Sequence, residues 1–543
     1  MLKALVVDLL ARAKGKRYAS YDVVGIGPRL VTGLINQLGE KADLITYEDL
    51  FSDPSILGNY DVILLSAMSS DRGALKNVIR LANTLGGSQL KIIGGPISLE
   101  FYDILEHVGG DFVVVGEGEN QLIKLFSEYK KYLIQQDLNK LTEITGLAIK
   151  NNKKIVFTGY PEYTSKDLLD KIRPYTQVNK VYKRTWMYRF YVEVVRGCSN
   201  FYRPLINIDY RRTCIKCMNC RSSDLINKLW CPKHIPPGCG FCSVPFHFGP
   251  PRSRSIESIV NEIKDLIRHD AKRIVLSAPD FLDYGREDLV KPYPLTDPCN
   301  PRPNYNALEN LLSRLHEIPE IYSGETRIFI ENAKACLIDK KVSSILGKYL
   351  HGTTIHIGLE TVSRKYNEII IGKPIGLKEA IQAIKILRRN GLRPYIYLVY
   401  GLPYMNYKVY KRTIKALKKL YESGVEKITL YKFTPLPMTA FEYFKPEIDK
   451  YKNIIEKYKD LVNKYNLLAK RKYFLGKKIK AYIIKEDNKI YGYPVDHGPV
   501  IFIRKTILDL KNDDVCLADI EITNVKARYV FGNIINIEKC MNQ

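Results

Sequence analysis

The sequence predicts an α/β protein in three successive parts: an N-terminal doubly wound parallel sheet, a central partial (β/α)6 barrel and a small C-terminal β-barrel. Three observations lead there. Short apolar runs alternate with amphipathic helical stretches over most of the chain, the pattern of parallel sheets covered by helices. Six such strand–helix steps follow one another from about residue 190, enough for most of a barrel. The last part changes to five short strands, the signature of a small closed barrel resembling an OB-fold. With 543 residues and roughly 100–200 residues per domain, the chain has room for all of them.

The first part covers residues 1–130. Its strands are ALVVDLL, DVILLSA, KIIGGP and FVVVGEGE, with helices PRLVTGLINQLGE and GALKNVIRLANTLGG between them. Ligands of such sheets sit beyond the carboxyl ends of the strands. Those ends carry Ser66, Gly94, Gly95, Pro96 and Gly116-Glu117-Gly118-Glu119. The glycines either let a flat ligand approach the backbone or serve tight turns. The opening apolar run is interrupted by Lys3 and Asp8 and has no small-residue cleavage site after it. It reads as a buried strand of a cytoplasmic protein, not as a leader. Residues 131–185 are Lys-rich and read as a hairpin or linker.

The barrel, residues 186–446, opens with VEVVRGC. It continues through RIVLSAPD, RIFIENAK, TIHIGLE, RPYIYLVYGLP and KITLYKFTPLP, with helices such as SIESIVNEIKDLIRHD and LKEAIQAIKILRRNGL between strands. Its active site is expected at the strand C-terminal ends. Asp280, Glu331 and Asn332 lie there, with capping and turn roles as the alternative. Tyr397 and Tyr400 are candidates for the pocket wall or for core packing. A polar helical connector, 447–473, leads to the tail, 474–540, with strands KIKAYIIKE, KIYGYPV, PVIFIRK, ADIEITNVKA and YVFGNIINI.

Composition bounds the function. Hydrophobic residues make up 45% and charged residues 26%, which excludes a wholly disordered chain. No apolar run reaches the roughly 18–20 residues of a membrane span. Lys plus Arg is 84 against 58 for Asp plus Glu, a net charge of +26. That balance favours a polyanionic partner, most simply nucleic acid.

Eleven cysteines are present, seven of them between Cys198 and Cys242. Disulfide frameworks belong mostly to small secreted domains, so this cluster reads as metal or Fe–S binding. Cys299, Cys336, Cys516 and Cys540 are scattered and read as buried small hydrophobes or bystanders. Cys198 ends the strand YVEVVRG, and Cys239 and Cys242 form GCGFCSVP. Three thiolates can hold three irons of a [4Fe–4S] cluster and leave the fourth iron open to a chelating ligand.

These residues, in this order, resemble the radical S-adenosylmethionine (SAM) superfamily. The resemblance covers about residues 190–445. The family's final CxΦC is matched by Cys239-Gly240-Phe241-Cys242, and Phe241 would pack near the adenine. RSRSIESIVNEI resembles the first barrel helix. In HIGLETVSRKYNEIIIGKP, Gly358, Glu360 and Ser363 match the segment near bound SAM. YLVYGLP matches the fifth strand with its turn at Gly401 and Pro403, and FTPLPMTAFE the sixth. The resemblance implies a [4Fe–4S] cluster, SAM as cofactor, an electron donor protein as partner, and hydrogen abstraction by a 5′-deoxyadenosyl radical.

One departure is large. Forty residues, 199–238, separate Cys198 from Cys239, where the family's spacing is short. Cys231 is the competing first ligand, although VEVVRGC is the usual lead-in. Within the insertion, Cys214, Cys217, Cys220 and Cys231 have spacings like ferredoxin ligand runs. A second [4Fe–4S] cluster and structural zinc, with His234 as a substitute ligand, are both open.

The N-terminal part resembles the cobalamin-binding-type domain found before many such barrels, through its GGP and VVGEGE segments. The Asp-x-His-x-x-Gly cobalt motif is absent, so cobalamin and a merely supporting domain both stay open. The tail resembles the TRAM domain of RNA-modifying enzymes through DVCLADIEITNVKARYVFGNII, including Ala527, Arg528, Tyr529 and Gly532. Lys526, Arg528 and Tyr529 are candidates for phosphate contact and base stacking. Arg211, Arg212, Lys216 and Arg221 of the insertion are candidates for a basic channel. The expectation is a monomeric radical SAM enzyme that modifies RNA, tRNA first, by methylation or a related change. The alternatives are methylthiotransferase-like sulfur insertion, a non-RNA substrate, and a non-catalytic metal-containing RNA-binding protein. The methylthiotransferase domain plan is similar, but residues 1–197 contain none of the cysteines its second cluster needs.

Overall fold

The computed structural model describes residues 2–15, 21–85, 87–151, 154–209, 212–486, 488–504, 510 and 514–541. The chain divides into two compact units, residues 1–192 with 254–271, and residues 193–253 with 272–543.

The first unit is built on one seven-stranded sheet. Lys41–Thr46, Lys3–Asp8, Val62–Ser66, Leu90–Gly94 and Phe112–Val114 lie side by side and parallel, with Val6 between Leu44 and Leu64. Lys3–Asp8 is buried at every position after Lys3, as a central parallel strand covered on both faces must be. The Lys-rich stretch supplies a hairpin, Leu147–Asn151 and Lys154–Phe157, which extends this sheet antiparallel. Helix Ile256–Arg268 also belongs to this unit. Its Glu262 lies between fully buried Arg29, at 2.8 Å, and Arg254, at 2.6 Å, so the buried charges are paired.

Of the strand-end glycines of this sheet, Gly94 is open, with nothing within 4 Å of a Cβ placed on it, while Gly95 and Gly116 are closed by the chain itself. A Cβ on Gly95, whose φ is +85°, would lie 2.8 Å from the Ala67 carbonyl oxygen. One on Gly116 would lie 3.1 Å from Pro161. Glu117 and Glu119 are buried and accept from Thr164, from its main-chain N–H at 2.7 Å and its hydroxyl at 3.0 Å. The tight-turn reading therefore accounts for Gly95 and for the Gly116–Glu119 segment.

The second unit carries the barrel strands. Arg273–Ser277 and Arg327–Ile330 pair in parallel, as do Thr354–Glu360, Arg393–Tyr400 and Lys427–Lys432. A single bridge, Asn332 to His356, joins the two sets. The opening strand, Arg189–Glu193, runs on to Val194, whose N–H donates to Ser277 O at 2.9 Å. Helix Lys452–Tyr473 closes on the last strand, where buried Asn466 bonds both the N–H and the carbonyl of Ile428 at 2.8 Å.

The tail is a closed five-stranded barrel, formed by Lys478–Glu486, Lys489–Pro494, Ile501–Ile503, Val530–Met541 and Val515–Val525 in that neighbour order. Its core includes Ala481, Ile483, Ile501, Ala518, Ile520 and Val530. It sits at the N-terminal ends of the barrel strands. Arg393 Nη1 donates to His497 O at 2.6 Å, Thr354 Oγ1 pairs with His497 Nδ1 at 2.6 Å, and Arg327 faces Asp496 at 3.4 Å. The salt bridge from Arg393 to Glu426 completes this seal.

The four scattered cysteines are not bystanders. Cys299 bonds Cys336 and Cys516 bonds Cys540. Spacing alone does not reveal such pairs, because the partners meet only through tertiary structure; Cys516 and Cys540 face each other across neighbouring strands. Among the described residues, no helix is long and apolar enough to cross a membrane.

Candidate functional site

The remaining seven cysteines carry free thiols and fall into two groups. The first forms where the opening strand ends. Val195–Arg196 pairs antiparallel with Arg252–Ser253. Gly197 follows with φ +88°, where a Cβ would lie 2.3 Å from Pro250 O; only glycine tolerates both the conformation and the approach. Cys198 N–H then donates to Gly249 O at 3.0 Å. The insertion itself is closed at its base, where Gly238 N–H donates to Tyr202 O at 2.8 Å. The chain leaves at residue 199 and comes back beside its starting point, so the insertion does not displace the thiols on either side.

Asn200 links the first two thiols. Its N–H approaches Cys198 Sγ at 3.5 Å, and its side-chain amide donates to Cys239 Sγ at 3.2 Å and to Gly372 O at 3.1 Å. Cys242 N–H donates to Cys239 O at 2.8 Å. Gly240 fits under Phe441, whose ring a Cβ would meet at 2.5 Å. Burial pushes the Cys242 thiol up to about 12, and the neighbouring Cys239 and Cys198 push the same way. Burial likewise raises Cys198 to about 11, against the pull of Lys334. It also raises Cys239, against Lys373. Crowded thiols that resist ionisation are what a group binding all three as thiolates would relieve.

Two half-buried lysines face these thiols. Lys373 Nζ lies 2.6 Å from Glu360 Oε1, and Glu360 and Cys239 raise its pKa against the opposing effect of burial. Glu360 is buried and sits at a strand irregularity with φ +62°, a conformation that costs a non-glycine residue energy and is found at functional positions. The pair lies directly over Gly358, where a Cβ would lie 2.6 Å from Lys373 Nζ and 2.7 Å from Glu360 Oε1 and would push both side-chain ends aside. Lys334 Nζ contacts Asp283 at 2.7 Å, Ser199 Oγ at 2.8 Å and Asp280 at 2.9 Å. Burial raises Asp280, while Lys334 and Arg286 hold Asp283 low in spite of burial. Asp280 thus joins the site network and also caps the turn at Leu282.

Other residues singled out from the sequence have local duties. Phe241 is half-buried. Ser363 caps Arg364–Tyr366 through the Tyr366 N–H. Gly401 makes a turn at φ +78° and donates to Tyr410 Oη at 3.0 Å. Glu331 O accepts from His356 N–H and Asn332 O from Phe281 N–H. Tyr400 packs in the core, with Lys459 over its ring. Tyr397 hydrogen-bonds His356 Nδ1 at 2.8 Å.

The second group lies in the insertion. Cys214, Cys217, Cys220 and Cys231 are close enough to act on one another electrostatically. Burial raises the Cys214 thiol, and the other three raise it further. Arg203 organises the loop. Its guanidinium donates to the carbonyls of Ile235 (2.7 Å), Lys228 (2.6 Å), Leu229 (3.0 Å) and Phe201 (3.2 Å). Arg221 lies over the Tyr202 ring at 4.1 Å and approaches Cys220 Sγ at 3.4 Å. It also donates to the carbonyls of Arg203 and Glu368. Arg212 pairs with Asp209, Lys216 is exposed, and Arg211 lies outside the described residues. His234 is exposed. Among the described residues, no three His, Cys, Asp or Glu side chains are spaced to hold a single metal ion.

On the tail barrel, Tyr491, Phe502, Tyr529 and Phe531 form one half-exposed aromatic cluster, with ring centroids 4.7–5.9 Å apart along its contacts. Arg504 lies 4.1 Å over Phe531. Lys526 and Arg528 are exposed beside Tyr529. The sequence pointed to Tyr529 alone; the alternation of Tyr491, Phe502 and Phe531 along their strands was the available signal.

Residues 230–417 match the model of the Radical SAM superfamily. The uncharacterized protein MK0932 of Methanopyrus kandleri is 37% identical over 98% of this chain and 96% of its own length. The uncharacterized protein MJ1620 of Methanocaldococcus jannaschii is 38% identical over 93% of each. Among solved structures, the radical S-adenosylmethionine methyltransferase TsrM of Kitasatospora setae superposes with TM-score 0.58 at 13% identity, over 81% of this chain and 77% of that one. That likeness is one of fold. The TsrM structure holds cobalamin and a [4Fe–4S] cluster.

Proposed function

Since the chain belongs to one family with MK0932 and MJ1620 and contains a radical SAM domain, we propose that it is a radical SAM transferase that acts on RNA, tRNA first, by methylation or a related carbon-centred change. The observation that carries this reading is the convergence of Cys198 with Cys239 and Cys242 about Asn200. The donor set suits a [4Fe–4S] cluster: three thiols, N–H groups aimed at sulfur, and two half-buried lysines that offset thiolate charge. When bound, cluster and SAM supply one-electron cleavage of the sulfonium and hydrogen abstraction from an unactivated position.

The protein's own residues do the rest. Cys198, Cys239 and Cys242 would hold three irons, and Asn200 fixes the first two sulfurs. Lys334 and Lys373 make the three thiolates tolerable in a buried setting. Glu360, held by Lys373, offers an acceptor to the polar end of SAM, and Phe241 offers an apolar wall to its adenine. The insertion cysteines Cys214, Cys217, Cys220 and Cys231 would hold a second metal group. Cobalamin has no protein residue assigned here, because Gly95 and Gly116 are covered by the chain itself, and no step is given to it.

RNA as substrate is supported by the net charge of +26 and by the aromatic cluster flanked by Arg504, Lys526 and Arg528, the makings of a base-stacking platform. The tail barrel lies at the strand ends opposite the thiols. The seven-residue strand Thr354–Glu360, at about 3.3 Å per residue, puts about 20 Å between the two ends. The partner must therefore be a large, folded polyanion that reaches both, which favours structured RNA over a short strand.

The test is anaerobic reconstitution with iron, sulfide and reductant, followed by SAM and either bulk tRNA or buffer. The expected result is 5′-deoxyadenosine or S-adenosylhomocysteine formed faster with tRNA, with a mass gain on the RNA. SAM cleavage that RNA never stimulates would retain the enzyme and discard the substrate. No SAM cleavage at all would discard both.

A further inference from the structure

The loop 297–301 is gripped from three directions. Asp297 forms a buried ion pair with Lys228 of the insertion at 2.5 Å, and neighbouring Thr296 donates to Leu225 O at 2.7 Å. Fully buried Arg286 donates to Pro301 O at 2.7 Å and Asp297 O at 3.3 Å. The same guanidinium reaches Asp283 and Ser199, the residues that hold Lys334 beside Cys198. The third grip is covalent. Cys299 is bonded to Cys336, two residues beyond Lys334. The disulfide therefore closes a ring of contacts that begins at the insertion and ends at the first thiol group.

This bond is open to solvent. Cys299 and Cys336 are half-buried and line a cavity of about 660 Å³, whose far wall includes Met218 and Arg221 from the loop of the second cysteine group. The other disulfide differs, since Cys516 is fully buried in the tail barrel.

We propose that Cys299–Cys336 is a thiol–disulfide exchange site for a dithiol reductant, and that its opening releases the insertion from the first thiol group. A thiolate of the reductant attacks one of the two sulfurs and the S–S bond breaks. The other cysteine leaves as thiolate and takes a proton. The reductant's second thiol then resolves the mixed disulfide, freeing the remaining cysteine and closing its own disulfide. Two electrons and two protons pass to the chain, and the reductant leaves oxidised. With the covalent grip gone, only non-covalent contacts hold the loop, those of Lys228, Tyr202, Thr296 and Arg286 among them, and the segment that positions Cys231 loosens.

The experiment uses intact metal-loaded protein and needs no SAM chemistry, so its outcome is independent of the function proposed above. Dithiothreitol is the probe; alkylation with mass spectrometry reads the thiols, and amide hydrogen exchange reads the loops. Reduction should make Cys299 and Cys336 alkylatable and speed exchange in residues 222–232 and 296–302 by about tenfold. The Cys299→Ser/Cys336→Ser variant should show the fast exchange without reductant and gain nothing from it, which separates the effect from any loss of iron to the thiol. A Cys516→Ala/Cys540→Ala variant should respond as the parent does. The proposal is overturned if exchange in 222–232 is unchanged on reduction, if the double serine variant exchanges like the oxidised parent, or if residues 299 and 336 are free thiols in the protein as isolated.

Discussion

The two groups of free thiols are chemically alike and electrostatically opposite. Around Cys198, Cys239 and Cys242 the cations are lysines that already have carboxylate partners: Lys373 with Glu360, and Lys334 with Asp280 and Asp283. Around Cys214, Cys217, Cys220 and Cys231 the cations are Arg203 and Arg221, whose hydrogen bonds go to main-chain carbonyls and, for Arg221, to Cys220. Burial lowers the pKa of both guanidiniums, and the nearby cysteines oppose it. The lysines of the first site are thus balanced by carboxylates before anything binds. The second is short of negative charge until its thiols ionise, which is the setting a thiolate-bound metal group would complete.

The largest expected effect breaks this comparison at its centre. Cys198→Ala should abolish SAM cleavage, measured as 5′-deoxyadenosine under anaerobic reduction, because an iron loses its protein anchor. Cys214→Ala should keep the spectroscopic signature of the first cluster and change only the second metal content. Equal loss of both centres in either variant would mean that the sites are one.

A smaller effect sharpens the account of the balanced site. Lys373→Met leaves the Glu360 carboxylate buried without its partner, at a strained backbone position. Removing one member of a buried pair costs about 3–5 kcal/mol, which denaturant unfolding of the unit should detect. Lys373→Met with Glu360→Gln should recover much of that loss, since no uncompensated charge then remains. A single variant as stable as the parent would show that Glu360 is solvated or protonated.

Much of this was legible in the sequence, for identifiable reasons. The barrel strands and the five strands of the tail were readable because period-2 and continuous apolar runs survive in any context. The cysteines of the first site were readable because the motif is local at Cys239–Cys242 and the lead-in at Cys198 is a strand end. The charges that make the site work were not. Lys373 stood in plain view within the IIIGKP segment, but nothing local says that it turns back to Glu360. Lys334, Arg286 and Arg203 act across 51 residues to Asp283, 87 to Ser199 and 32 to Ile235, respectively. The scattered cysteines were misread for the same reason, because Cys299 and Cys336 are 37 residues apart. At Gly116–Glu119 the sequence left ligand approach and a tight turn both open, and only the tertiary structure shows Glu117 and Glu119 holding Thr164.

The smallest effect concerns acid. Asp297, which ties the insertion down through Lys228, is held below the usual carboxylate range: burial works to raise it, but Lys228 and the N–H groups of Cys299 and Asn300 outweigh burial. A carboxylate depressed on folding contributes stability that is fully present above its unfolded value, about 3.9, and is lost as pH falls through its lower folded value. Between pH 7 and 5, hydrogen exchange in residues 222–232, corrected for its intrinsic pH dependence, should therefore stay constant. Loosening should begin only below about pH 4, and Asp297→Asn should reproduce it at pH 7. Loosening already near pH 6 would point to an imidazole in place of Asp297 as the group that holds the insertion. The charge-poor site would then depend on a titrating neighbour, and the contrast with the balanced site would fail on its own terms.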